Sequence, residues 1–135
     1  MKKLGWWIVV LVPMLVGVAW VKSQAEPDPG VRKFMRPKLD HAQKVLEGLA
    51  LDDLPLVAQN AKALLRLSEA AEWQVLPSLD YVRHSQEFQR LSNELIRAAN
   101  QKNLDSATLA YVQLTMNCVN CHKHVREARR VAFNE

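Results

Sequence analysis

Only two of the 135 residues are cysteine, Cys118 and Cys121, and no second Cys/His pair stands at ligand spacing elsewhere. A structural zinc site takes four protein ligands, so the chain offers at most half a set. Strand-like alternation of apolar and polar residues is missing throughout, and with it the βαβ context of a thioredoxin-like disulfide. No acid–base pair, nucleophile motif or phosphate-binding loop is present, so the expectation is a protein that is not an enzyme. Internal repeats and low-complexity tracts are absent. Charge of one sign is lacking too, once the N-terminus is set aside. The chain has 18 Lys+Arg against 14 Asp+Glu, and without Lys2, Lys3 and Lys22 the cations fall to 15. A domain of charge about +1 gives no support to nucleic-acid binding.

What the chain does have begins with one long apolar run. Lys2 and Lys3 precede "LGWWIVVLVPMLVGVAWV", residues 4–21, with tryptophans at both ends and Pro13 in its middle. Ser23-Gln24-Ala25 is a small-x-small cleavage site. Residues 1–25 therefore read as a cleaved signal peptide or as a retained anchor, in which case 4–21 tethers the protein to a membrane. On either reading the domain is exported, to the periplasm or an equivalent compartment where disulfides persist and haem is attached to thiols. Residues 26–30, "EPDPG", form a stiff linker. The working domain is 31–135.

Four helical stretches fill that domain. Met35, Leu39, Ala42, Leu46 and Leu49 define an apolar stripe on the first, from about Val31 to Leu49. Asp52 and Asp53 offer an N-cap to the second, which buries Leu54, Val57, Ala61, Leu64 and Leu65. Tyr81, His84, Phe88, Leu91, Leu95 and Ala98 make the third stripe. Asp105 caps the fourth, whose stripe is Ala107, Tyr111, Leu114, Cys118, Cys121, Val125 and Ala128. Steps of three and four in short-looped helices predict an all-α, antiparallel, up-down-up-down four-helix bundle.

The two cysteines thus fall on the buried seam of the last helix, inside "NCVNCHKHVRE". His122 follows Cys121 directly and stands one turn beyond Cys118. With zinc and a thioredoxin-like site disfavoured, C-x-x-C-H points to one covalently attached haem c. Cys118 and Cys121 would form thioethers with its vinyl groups, and His122 would be the proximal iron ligand.

On these residues the chain resembles the class II c-type cytochromes, the cytochrome c′ group, four-helix bundles with C-x-x-C-H on the fourth helix near the C-terminus. "AYVQLTMNCVNCHKHVRE" looks like that group's haem helix. The resemblance places Arg126 beside a haem propionate, although Val125 replaces the aromatic residue usual before that arginine. It also places Met35 at the distal side of the haem, where low-spin members have an axial methionine and five-coordinate members a side chain that does not bind iron. Class members are often dimers, so the resemblance admits a homodimer.

Two functions follow. With His122 and Met35 on the iron, the protein is an electron carrier, because a methionine ligand raises the reduction potential. With Met35 merely packed over an open face, it is a five-coordinate haem protein that binds NO or CO. An assembly subunit with an inert haem is a third class. Among the other histidines, His41 is expected at the surface, His84 as a hydrogen-bonded core residue at the haem end, and His124 in solvent. The antiparallel first and fourth helices should also bring Arg32, Lys33, Arg36 and Lys38 near Lys123, Arg126, Arg129 and Arg130. Such a basic end suits an acidic redox partner.

Overall fold

The computed structural model describes the backbone of residues 29–70 and 76–134, and the side chains of 35–70 and 76–132. The 4–21 run and the cleavage site lie outside them. Among the described residues no helix is long and apolar enough to cross a membrane. The description below concerns the compact unit that begins at residue 32.

The fold is an all-α four-helix bundle: α1 Pro29–Ala50, α2 Leu54–Glu69, α3 Leu79–Asn100 and α4 Leu104–Asn134. No strand occurs among the described residues. α2 packs on α3 and α3 on α4, as short connections between antiparallel neighbours require. Pro37 lies inside α1, which continues through it.

Two corners of the bundle are built alike. Asp52 and Lys102 both take the left-handed backbone conformation, at φ 55° and 56°. The next residue returns its N–H to the helix just ended, Asp53 to Gly48 O at 2.8 Å and Asn103 to Ala98 O at 3.0 Å. These bonds satisfy carbonyls that a helix end leaves open. The same residue then caps the following helix. Asp53 Oδ1 accepts from Leu56 N at 3.0 Å, and Asn103 Oδ1 accepts from Ser106 N at 2.9 Å. The capping role expected of Asp105 therefore belongs to Asn103, two residues earlier. Its backbone N–H closes the turn and its amide oxygen opens the helix.

At the first corner the backbones approach closely. A Cβ on Gly48 would stand 2.9 Å from Val57 Cγ2 and 3.0 Å from Asp53 O, so only glycine fits without a shift. The equivalent pair at the second corner is Ala98 and Ala107, both buried.

The core follows the expected stripes on α2, α3 and α4. Tyr81, Phe88, Leu91, Leu95 and Ala98 are buried, as are Ala107 and Leu114, while Tyr111, Cys118, Cys121 and Val125 are partly buried against them. The stripe expected on α1 is wrong by most of a quarter turn. Leu39 and Leu46 are 50% and 52% exposed, and the buried face runs through Lys38, Val45, Gly48 and Leu49 instead. Two apolar registers overlap on this helix and share Leu49, and the one containing a lysine packs inward.

Candidate haem-attachment site

α4 carries the motif along its buried seam. Cys118 and Cys121 are free thiols, each half-buried and packed against the core. Being three apart on a helix, they lie on one face, and His122 stands a turn from Cys118 on the flank of that face. Burial pushes both thiols above their ordinary pKa. They are protonated, unreactive thiols at neutral pH, not the low-pKa pair of a redox disulfide. Among the described residues no group of three or more His, Cys, Asp or Glu side chains comes together to hold a metal ion. The donor set fits a haem bound through two thiols and an adjacent imidazole.

His122 is exposed to solvent on the flank of the seam. Its pKa is lowered first by partial burial, then by the nearby cations of Arg126 and Lys38. All three favour the neutral imidazole, the form that binds iron. Arg126, one turn after His122, is exposed and close enough to act on it electrostatically.

α1 carries two further residues of interest. Met35 is half-buried and packed against the core. Lys38, one turn further, departs from expectation. Expected among surface cations, it is only 7% exposed, and its Nζ is closed to solvent. Burial lowers its pKa to about 7, while the neighbouring thiols of Cys121 and Cys118 pull the other way. These couplings put the Lys38 amine within electrostatic reach of the motif. A lysine tolerates such a place because its four-carbon stem is apolar. The sequence pattern assigns lysine to solvent by default and offers no signal against that.

The remaining cations divide. Arg36 is exposed and pairs with Asp40 at 3.2 Å. Lys123, Arg129 and Arg130 are exposed on α4. The side chains of Arg32 and Lys33 lie outside the described residues.

The histidines do more than expected of two of them. His41 is half-buried and donates from Nδ1 to Asn60 Oδ1 at 2.9 Å, while Asn60 Nδ2 donates to Leu56 O, also at 2.9 Å. The misjudged α1 stripe explains the miss: a residue well away from Met35 faces α2 once the helix is turned toward Lys38. His84 is the hydrogen-bonded residue expected, with Asn117 as its partner. His124 is not left to solvent. It is half-buried, its Nε2 lies 3.0 Å from Ser78 Oγ, and its ring centroid is 6.1 Å from that of His84. Ser78 Oγ also accepts from Tyr81 N at 3.2 Å as the N-cap of α3, so the start of α3 is tied to the helix that carries the motif. Asn117 and Ser78 went unnoticed in the sequence because each acts across helices, where local spacing carries no signal.

Comparison with family models, curated proteins and solved structures finds no match.

Proposed function

We propose that this chain is an exported monohaem c-type cytochrome of the class II kind, acting in electron transfer. The observation that carries the reading is Cys118 and Cys121 on the inner seam of the last helix as free thiols, with the neutral imidazole of His122 on its flank. Haem c, when bound, supplies a one-electron couple at its iron. The chain's own residues do the rest. The thiols of Cys118 and Cys121 fix the cofactor to α4. Neutral His122 offers a ring nitrogen as proximal ligand. Arg126 provides a cation for a propionate. Leu114, Val125 and the core side of α1 exclude water, which sets the potential through the local dielectric. Met35, half-buried against the core, would hold the iron's remaining position and so keep it from a gas.

The test is direct. After export in a host that attaches haem c, the protein should keep its haem through acid-acetone extraction and show a haem-staining band on a denaturing gel. Its reduced spectrum should change little under carbon monoxide. Haem that extracts freely refutes covalent attachment. A reduced spectrum that shifts at once with carbon monoxide replaces the electron carrier by the five-coordinate, gas-binding reading.

A further inference from the structure

α4 is buried on one side only. Ala107, Ala110, Leu114 and Asn117 lie in the core. Val112 and Met116, two residues before and after Leu114, stand about 160° round the helix from it, on the face turned away from the bundle. That outer face is apolar. Leu109, Val112, Met116 and Val119 are 60%, 52%, 57% and 56% exposed, and they follow one another in steps of three, four and three. Asp105 and Lys123, both exposed, stand one turn beyond the two ends of the row. Between them "SATLAYVQLTMNCVNCH" contains no Asp, Glu, Lys or Arg. A contiguous exposed apolar row marks an interaction surface. Its alternating three- and four-residue steps make a narrow seam of the kind that receives another helix.

We propose that this face is a dimer interface, on which α4 of a second copy packs antiparallel about a two-fold axis level with Leu114. In such a pair the same surface serves both copies, and residues equally far before and after the axis meet. Leu109 then meets the partner's Val119, and Val112 meets the partner's Met116. The same register sets Asp105 against the partner's Lys123, so an acid faces a base at each end of the seam. A parallel pair would set Asp105 on Asp105 and Lys123 on Lys123. Among the described residues neither charge is engaged in an ion pair. Thr108, Gln113, Thr115 and Asn120 flank the row and carry no charge to repel a second copy. A membrane surface would call for cations in those places. From Leu109 to Val119 the seam runs roughly 15 Å along the axis, a small interface, so the dimer should dissociate on dilution. The seam lies across α4 from the core and does not depend on haem.

Sedimentation velocity of the exported, haem-loaded protein over a wide concentration series should show a reversible monomer–dimer equilibrium. Val112→Glu and Met116→Glu should each weaken association by roughly tenfold or more. Their helical content by circular dichroism should stay unchanged, because both side chains lie outside the core. Asp105→Lys and Lys123→Asp should each weaken the dimer, and the double swap Asp105→Lys/Lys123→Asp should restore it. The double swap is decisive, since a loss caused by weakening α4 itself would persist in it. A protein that stays monomeric at every concentration, or a dimer indifferent to Val112→Glu, overturns the proposal. Single swaps that weaken a dimer the double swap fails to restore overturn the antiparallel register. A monomer that binds phosphatidylcholine–phosphatidylglycerol vesicles, and loses them in Val112→Glu, makes the face a membrane surface instead.

Discussion

Asn117 holds His84 from both sides: Nδ1 of the imidazole donates to the amide oxygen at 3.2 Å, and the amide nitrogen donates to the histidine's own carbonyl at 2.9 Å. The pair fixes the orientation of both groups, since an amide oxygen only accepts. It clasps α3 to α4 one residue before Cys118, and His41 with Asn60 makes a similar clasp between α1 and α2.

Breaking the first clasp should loosen the fold and spare the iron. Asn117→Ala and His84→Ala should each lower stability by about 1–3 kcal/mol in urea unfolding, because each strands a polar partner, buried Asn117 or half-buried His84. The double variant should lose less than the sum of the two. Haem content and spin state should stay unchanged in all three. A spin-state change in His84→Ala alone would make that histidine an iron ligand.

The two corners respond in opposite senses. Lys102→Gly should stabilise the protein by roughly 1 kcal/mol, since a lysine is strained in the left-handed region and glycine is not. Gly48→Ala should destabilise it by about 1–3 kcal/mol through the clash with Val57, and Val57→Ala in the same chain should recover part of the loss. Thermal unfolding of the three variants checks both signs. Equal effects with and without Val57 would clear the valine of the clash.

Lys38 gives a pH dependence of stability with a definite sign. The Cys118→Ala/Cys121→Ala variant has no thiol to hold a haem covalently and loses the two groups that raise the lysine's pKa. Folded Lys38 then titrates at or below about 7, against an ordinary 10.5 when unfolded. Between those values the unfolded chain binds more protons, so stability should rise with pH from about neutrality to about 10.5. Adding Lys38→Met should flatten that rise and stabilise the variant most at low pH. Urea midpoints across the range decide it, and a fall with pH would contradict the burial of the amine.

The basic end should govern encounter rates. Charge reversal of Lys123, Arg129 and Arg130 to Glu should slow electron exchange with an acidic partner and weaken its dependence on salt, with the haem spectrum unchanged. Stopped-flow exchange at several ionic strengths measures this. Rates indifferent to both charge and salt would reduce these cations to ordinary surface.

The sequence shows α3 and α4 well because each has a single apolar register, and Cys118 and Cys121 follow the α4 register onto the seam. On α1 two registers compete. Leu39 and Leu46 outweigh Val45 on any hydropathy reading, yet Lys38 turns inward with Val45 and Leu49. Contacts with α2, His41 to Asn60 and Gly48 against Val57, go with the observed register, and no local pattern encodes them. Likewise, Asn103 as the cap depends on the backbone turn at Lys102, while Asp105 has the better local signature.

The tight contact at Gly48 has a mechanical consequence for the far end of the same helix. Because Gly48 and Val57 leave no room to slide, the corner acts as a pivot, and α1 can move only as a lever about it. Met35 stands 13 residues from that pivot, roughly 20 Å along the axis, so a tilt of about 5° carries its sulfur by ~2 Å. A swing too small to disturb the corner is thus large enough to make or break a contact of the thioether. A residue without a side chain, near one end, gives the other end its reach.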